Sequence, residues 1–214
     1  MNQIDENWSS IEGDQSLPFA KLRVQYYSAM MQIIARIESL DQQLALSCAR
    51  NPIHHIEKRI KSFHSISEKL AKQNRSVTIE TIRANVLDVA GIRIVCSYVE
   101  DIYRVADMLK LQDDLQLIQI KDYIETPKPS GYRSYHMTVG AAVYGIDGKQ
   151  MIPVEIQMRT IAMDFWASLE HQLKYKTNAM VSSSMRERLH SVAETIWFTD
   201  VEMQSIYMDI NAIR

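Results

Sequence analysis

The order of hydrophobic patterns along the chain restricts it to one fold class. Apolar residues recur at helical spacing from Leu17 to about Ser47, and the same spacing returns over about 160–178 and 183–212. Strand-type patterns, either alternating or continuously β-branched, occupy the four stretches 92–99, 115–124, 132–145 and 150–160. This succession predicts an α+β domain, in which helices flank a mixed, mostly antiparallel sheet of four or five strands.

Further helices are predicted before the first strand and between the first two strands. Asn51 and Pro52 have the residue types of a helix N-cap and a first helical position, which predicts a helix from Asn51 to about Gln73. Shorter helical patterns lie near 79–86 and over 100–112. Together with the patterns above, these segments account for most of the chain.

Composition limits the cellular context. The 214 residues are 46% hydrophobic and 23% charged, which predicts one soluble domain over 18–214 after a polar, flexible N-terminus at 1–17. The formal charge of -2 gives no general attraction to nucleic acid or to anionic membranes. Neither a leader-like segment nor a long apolar run is found, so a cytoplasmic location is expected. Cys48 and Cys96 lack metal-ligand spacing and are expected to be free thiols.

The predicted helix from Asn51 has two chemically distinct sides. Its apolar arc consists of Ile53, Ile56, Ile60, Phe63, Ile66 and Leu70. Its opposite side carries Lys58, Lys61, Ser65, Lys69 and Lys72. Arg59 falls inside the apolar arc and needs a partner there, because an unpaired buried charge is costly. A lysine stripe is most often only a solvated face, and it indicates anion binding only where other parts of the chain converge on it.

Two carboxylates are candidates for a metal site. Alternation in the last predicted strand places Glu155, Gln157 and Arg159 on the face opposite its apolar residues. Asp88 lies just before the buried strand that begins at Ile92. Two carboxylates at strand positions are a common way to hold Mg²⁺, which prefers oxygen ligands. The same polar row is also typical of the solvent-facing side of an antiparallel sheet.

The segment YIETPKPSGYRSYHMTV carries more cationic and aromatic residues than a turn between strands requires. Lys128 lies between two prolines, and Gly131 precedes Tyr132, whose ring is suited to stacking on a flat base. Further donors for phosphate oxygens come from Lys121, Arg133 and His136. Because no P-loop or dinucleotide-binding glycine pattern is present, side chains would have to hold such a ligand. Alternatively, Tyr135 and its neighbour His136 form ordinary cross-strand pairs and the cations decorate the surface.

Three longer motifs, in this order and spacing, resemble the synthetase domain of the RelA/SpoT family of guanosine 3′-pyrophosphate synthetases: DVAGIRIVC, YIETPKPSGYRSYH and VEIQMRTIAMDFWASLEH. The resemblance covers about residues 18–210. The short chain resembles the stand-alone small alarmone synthetases, and NPIHHIEKRIKSF with TPKPSGYRS is most similar to their RelP branch. This implies a nucleotidyltransferase-like synthetase fold. It also implies, within the stringent response, transfer of pyrophosphate from ATP to the 3′-hydroxyl of GDP or GTP with release of AMP.

The resemblance also implies which residues serve the metal and ATP. Asp88 and Glu155 would hold Mg²⁺, and Glu155 would draw the proton from the 3′-hydroxyl. Arg59 and Arg93 would sandwich adenine, since a flat guanidinium can stack on a ring. The ATP phosphates would be lined by Lys61, Ser65 and Lys69.

A second set of residues is implied for the guanine nucleotide. Tyr132 would stack on guanine, and Asp164 would accept from its N–H groups, although RelQ-type members have asparagine at that place. The remaining phosphate and ribose contacts would come from Lys121, Lys128, Arg133, His136 and Gln157. RelQ-type members use an aromatic residue and a threonine in a product-binding regulatory cleft, where this chain has His55 and Glu57. A glutamate disfavours an anionic activator, so the pentaphosphate product is not expected to activate this protein.

The expected organisation is that of a synthetase alone. No counterpart of the family's hydrolase or regulatory domains is recognised, so synthesis without degradation is expected. The family resemblance implies a homotetramer, without a membrane or a stable nucleic-acid partner. A candidate oligomer surface is the apolar side of the final helix, although packing onto the chain's own sheet is an equal alternative. That side carries Val192, Ile196, Val201, Ile206, Ile210 and Ile213.

Two other functions compete with this interpretation. Paired carboxylates with Mg²⁺ recur in other nucleotidyltransferase-like enzymes, and a fold alone does not fix the reaction. A single-stranded RNA-binding module could use the lysines and stack bases on Tyr132 or Tyr135. That module would place Asp88 and Glu155 as repulsive charges beside a phosphate backbone.

Overall fold

The computed structural model describes residues 16–146, 148–176 and 182–213, which form an α+β fold. In chain order the elements are α1 (Ser16–Ser47), β1 (Ile53–Ile60), α2 (Phe63–Ala71), α3 (Ile79–Asn85), β2 (Ala90–Cys96), α4 (Val99–Lys110), β3 (Gln116–Asp122), β4 (Tyr135–Gly145), β5 (Gly148–Thr160), α5 (Ile161–Lys176) and α6 (Ser183–Ala212). The predicted fold class is therefore confirmed. Most of the segment 1–17, predicted to be flexible, lies outside the described residues, and its last two residues already belong to α1.

The five strands form one sheet in the order β1-β2-β5-β4-β3. Strands β2 and β5 are parallel, and the other three neighbouring pairs are antiparallel, which confirms the predicted mixed, mostly antiparallel sheet. Ile92, Ile156 and Met137 are register partners on adjacent strands, and all three are fully buried. They form one core with the buried residues of α1, such as Tyr26 and Ile33, so one face of the sheet is covered.

The predicted helix from Asn51 to Gln73 is wrong, because this segment forms strand β1 and helix α2. A register irregularity between Ile53 and His55 places Ile53 and Ile56 on the same face of β1, although they are three residues apart. Ile60 follows on that face four residues later, so a bulged strand reproduces the apolar spacing of a helix. Asn51 caps no helix there, and its Oδ1 accepts instead from the backbone N–H of Ile53 at 3.1 Å.

The remaining elements agree with their predicted positions to within a few residues. The first predicted strand ends early, at Cys96, because Val99 already begins α4. Helix α4 is capped by Asp101, whose Oδ2 accepts from the backbone N–H of Tyr98 at 3.1 Å. Cys48 and Cys96 are free thiols, as predicted. Among the helices of the described ranges, none combines the length and the apolar character that crossing a membrane requires.

Candidate active site

The face of the sheet opposite the core brings polar side chains from all five strands into one row. Register partners share a face of a sheet, so a row can be followed from strand to strand. In spatial order the row contains Glu57, Arg93, Gln157, His136 and Lys121. The predicted alternation of β5 is therefore confirmed: Glu155 and Gln157 lie on the face opposite the buried Val154 and Ile156.

An open cleft of about 380 Å³ lies over this polar face. It is lined by Asp88, Lys121, Tyr123, Lys128, Ser130, Tyr132, His136, Glu155, Gln157 and Glu170. Seven of these residues were singled out from the sequence as site candidates. The three that were not are Tyr123, Ser130 and Glu170. The cleft therefore contains two candidate metal ligands, an aromatic ring and several cationic side chains.

Asp88 lies in the turn between α3 and β2, and two lysines hold its carboxylate. Lys69 Nζ donates to Oδ1 at 2.8 Å, and Lys61 Nζ donates to Oδ2. Burial alone would raise the pKa of Asp88, but the hydrogen bonds and charges of the two lysines outweigh it and keep the pKa below its usual value. The prediction that Lys61 and Lys69 share one helix is wrong, because Lys61 precedes α2. Both lysines nevertheless contact the carboxylate of Asp88.

Glu155 is held on both of its oxygens by neighbours on the sheet. His136 Nδ1 lies 3.2 Å from Oε1, and Gln157 Nε2 donates to Oε2 at 2.7 Å. Burial raises the pKa of Glu155, and the contacts with His136 and Gln157 lower it by more, so the net shift is downward. The charge of Asp88, which lines the same cleft, acts in the opposite direction and raises the pKa of Glu155.

The donor set of the cleft fits a magnesium ion better than a transition metal. Asp88 and Glu155 supply carboxylate oxygens in the same cleft, and Mg²⁺ usually takes one or two carboxylates and completes its shell with water and phosphate oxygens. Within the described part of the chain, no group of three or more His, Cys, Asp or Glu side chains is arranged to hold a metal. A metal at this place would therefore depend on the phosphates of a substrate for further ligands.

Tyr132 forms one wall of the cleft and is tied to its floor by hydrogen bonds. Its hydroxyl lies 2.9 Å from His136 Nε2 and accepts from Arg159 Nη2 at 2.8 Å. Because a carboxylate only accepts, His136 donates from Nδ1 to Glu155. The Lys128 ammonium lies 4.6 Å from the centroid of the Tyr132 ring. A base that stacked on that side of the ring would take the place of this ammonium.

A smaller cleft between β1 and β2 contains the two arginines predicted to bind adenine. Arg59 and Arg93 line it together with Glu57, and Gln157 is common to both clefts. The placement of Arg59 in a helical apolar arc is wrong, because it lies on the polar face of β1 beside Gly91. Arg93 Nη1 contacts Glu57 Oε2 at 3.1 Å, so one of the arginines already has a carboxylate partner on the neighbouring strand.

Comparison with known proteins identifies the family. Residues 58–180, more than half of the chain, match the model described as a region found in RelA/SpoT proteins. The chain belongs to the RelA/SpoT family. It is 39% identical to the GTP pyrophosphokinase YwaC of Bacillus subtilis, and the match covers 87% of this chain and 89% of YwaC.

Solved structures in the RelA/SpoT family show the same fold. The small alarmone synthetase 1 of Bacillus subtilis bound to its product pppGpp gives a TM-score of 0.84 at 31% identity, over 92% of this chain and 99% of that chain. The same synthetase bound to AMPCPP gives a TM-score of 0.76 at 27% identity, over 91% of this chain and 98% of that chain. The predicted synthetase fold is therefore confirmed.

Five of the predicted site residues of this RelA/SpoT protein line neither cleft. Two of them, Lys61 and Lys69, still contact Asp88 of the larger cleft. Arg133 points to α6, where its Nη2 donates to Glu194 Oε1 at 2.9 Å. The Ser65 hydroxyl accepts from Ser62 Oγ at 2.9 Å and belongs to the capping of α2. Asp164 lines neither cleft, and its Oδ1 lies 2.9 Å from Arg159 Nη1 and 3.3 Å from Arg93 Nη1. The structure therefore does not bring Arg133, Ser65 and Asp164 into the clefts.

Arg159 is the main site residue that the sequence alone did not single out. It is 5% exposed and donates to the side chains of Tyr132, Gln157 and Asp164. Alternation correctly placed Arg159 on the polar face, but a surface arginine and a buried one have the same pattern. Its burial depends on α5 and on the loop before β4, whose positions no local pattern contains.

Proposed function

We propose that the chain is a GTP pyrophosphokinase, which transfers the β,γ-pyrophosphate of ATP to the 3′-hydroxyl of GDP or GTP and releases AMP. The observation that carries the proposal is one cleft in which Asp88 and Glu155 lie beside Tyr132 and several cationic side chains. The function of YwaC and the pppGpp and AMPCPP ligands of the related synthetase support the same pair of substrate classes, a guanine nucleotide and an adenine nucleotide.

In the proposed reaction, the 3′-oxygen of the guanine nucleotide bonds to the β-phosphorus of ATP. The bond from that phosphorus to the oxygen bridging the α-phosphorus breaks, and AMP leaves with this oxygen. Glu155 takes the proton of the 3′-hydroxyl. The Glu155 carboxylate is ionised at neutral pH, as carboxylates ordinarily are, and the contacts with His136 and Gln157 fix its direction.

The ATP side of the proposed site combines metal, lysines and arginines. Asp88 and Glu155 would hold Mg²⁺, which when bound neutralises charge on the phosphate oxygens. Lys61 and Lys69 contact Asp88 and would meet phosphates bound beside it. Adenine would stack in the smaller cleft, whose lining includes Arg59 and Arg93.

The guanine side centres on Tyr132. The ring would stack on the base. Asp164, which shares Arg159 with the Tyr132 hydroxyl, remains the proposed acceptor for the N–H groups of guanine. Lys121 and Lys128 line the same cleft and would bind phosphate oxygens. Membership of the RelP branch, a cytoplasmic location, synthesis without degradation and a homotetramer remain part of the proposal.

The proposal is tested by release of AMP. Purified protein is incubated with ATP, Mg²⁺ and GDP, GTP or GMP in turn, and AMP is quantified. We expect AMP to form, and Glu155→Gln to lower the rate about 10² to 10⁴-fold, the usual contribution of a general base. Glu202→Gln, an exposed position on α6, is the matched control and should retain the wild-type rate.

Absence of AMP with every guanine nucleotide would contradict the proposed reaction. Binding of single-stranded RNA that Glu155→Gln leaves unchanged would then favour an RNA-binding module. Transfer of a nucleotidyl group in place of pyrophosphate would favour another Mg²⁺-dependent nucleotidyltransferase.

A further inference from the structure

The loop that carries Tyr132 is packed closely against helix α6. We call residues 123–134, between β3 and β4, the Tyr132 loop. Gly131 has a φ of +85°, in the region that favours glycine, and a Cβ added there would lie 2.5 Å from the Cβ of Ala193 on α6. Two backbone hydrogen bonds, from Gly131 N to Lys128 O at 2.8 Å and from Lys128 N to Tyr132 O at 3.2 Å, keep the loop tightly turned. The loop is thus shaped to lie directly on the helix.

Arg133 adds a polar anchor next to this contact. Its side chain is 10% exposed, and its Nη2 donates to Glu194 Oε1 at 2.9 Å. The guanidinium carbon also lies 4.7 Å from the centroid of the Trp197 ring, one turn further along α6. A largely buried arginine that is both paired and stacked loses several contacts when it leaves this position. Arg133 is therefore engaged with α6 and does not line the cleft in which the phosphates would bind.

Tyr132 itself belongs to a small apolar cluster that α6 completes. Trp166 of α5 and Ala193 of α6 are buried in this cluster, and Tyr132 and Leu189 pack against it. Trp166 Nε1 also donates to the backbone oxygen of Leu189 at 3.1 Å, which fixes α5 and α6 relative to one another. One side of Tyr132 thus contacts a surface that α5 and α6 form together.

We propose that Arg133 is a positioning residue for the guanine nucleotide and not a phosphate ligand. Through Glu194 and Trp197 it ties the Tyr132 loop to α6, so helix α6 sets the affinity for the guanine nucleotide. The kinetic part of this inference rests on the proposed function. The structural part, that α6 anchors the loop, stands on the contacts of the free protein.

The kinetic test separates anchoring from phosphate binding. Arg133→Ala, Glu194→Gln and the double variant are compared with wild type and with Glu202→Gln, an exposed charge on the same helix. We expect Arg133→Ala to raise KM for GTP about ten-fold and Glu194→Gln to raise it by less, because only Arg133→Ala also loses the Trp197 contact. KM for ATP should stay within about two-fold, and the double variant should match Arg133→Ala, because both changes break the same ion pair. Arg133→Lys, which keeps the charge, should recover part of the loss.

The two interpretations predict opposite results for Glu194→Gln. If Arg133 bound phosphate, removing the competing carboxylate would leave KM for GTP unchanged or lower it. That result, together with a raised KM for Arg133→Ala, would overturn the proposal. An equal rise of KM for both substrates would also overturn it, since that is the effect of general destabilisation.

Hydrogen exchange tests the anchor independently of any activity. In the nucleotide-free protein, the backbone amides of Lys128 and Gly131 should exchange at least about five-fold faster in Arg133→Ala and Glu194→Gln than in wild type. The Glu202→Gln control should be unchanged. Unaltered exchange in both Arg133→Ala and Glu194→Gln would overturn the proposal even in an active enzyme. A wild-type protein that releases no AMP would refute the proposed function and leave this measurement to decide on the anchor.

Discussion

Glu57 places a negative charge in the small cleft between β1 and β2. It lies 3.1 Å from Arg93 and 3.5 Å from His55. An anionic activator bound beside His55 and Glu57 would be repelled by the Glu57 carboxylate. We therefore expect added pentaphosphate product to leave the initial rate of AMP release within about two-fold. A marked stimulation in that titration would contradict this prediction, and Glu57→Gln tests whether the charge is responsible.

Individual site residues could be predicted where their neighbours along the chain constrain them. Glu155 and Gln157 follow from the alternation of β5, and Lys128 and Tyr132 from the composition of one loop. Arg133 is cationic and lies in the same loop as Lys128, yet it points to α6. The direction of a loop side chain depends on which element packs against it, and the sequence places Glu194 far away in the chain. Tertiary contacts therefore decide between neighbouring residues that local chemistry does not distinguish.

Helices and strands could be predicted from the spacing of their apolar residues, except where a strand has the apolar spacing of a helix. Strand β1 is the example, because its bulge places Ile53, Ile56 and Ile60 on one face at the spacing of a helix. It pairs with β2 alone and has no second neighbour to enforce a regular alternation. The incorrect prediction assigned Arg59 to a helix instead of to β1. In the structure Arg59 still lies near Arg93, because β1 pairs with β2.

The junction of β5, α5 and α6 predicts a pH dependence of stability. Thr160 Oγ1 donates to Asp200 Oδ2 at 2.6 Å and accepts from the backbone N–H of Met163 at 3.0 Å, so one hydroxyl links α6 to the start of α5. Burial raises the pKa of Asp200 to about 6, and the Thr160 hydrogen bond offsets only part of this. Since the usual value is 3.8, the folded protein binds more protons than the unfolded chain between about pH 4 and 6.

The Asp200 contribution to the free energy of unfolding therefore rises as the pH falls through this window. Urea unfolding of wild type and Asp200→Asn at pH 7.5 and pH 5.0 measures it, because other titrating groups cancel in the comparison. We expect Asp200→Asn to be the more stable protein at pH 7.5, and its advantage to shrink by about 1 kcal/mol at pH 5.0. An advantage that does not change with pH would contradict the raised pKa.

At the scale of the whole molecule, the fold class followed from the succession of helical and strand-type patterns. Four separated strand patterns between long amphipathic helices allow few layer architectures, and an error in one edge strand does not change the class. Strand order is a different matter. The parallel pairing of β2 with β5 joins residues more than sixty positions apart, and no local pattern specifies it. That pairing nevertheless builds the site, because it places Gln157 beside Arg93 and so joins the two clefts.

Assembly of several chains is the last prediction, and α6 carries it. The helix packs on α4 and α5, while five apolar residues predicted for an oligomer surface remain at least 43% exposed. They are Val192, Val201, Ile206, Ile210 and Ile213, whereas Ile196 packs inward. Burying such a surface between copies is favourable, and a homotetramer of 24.7 kDa chains would have a mass of about 99 kDa by light scattering. Ile206→Glu should shift this mass downward while Glu202→Gln should not, and a wild-type mass of one chain would contradict the prediction.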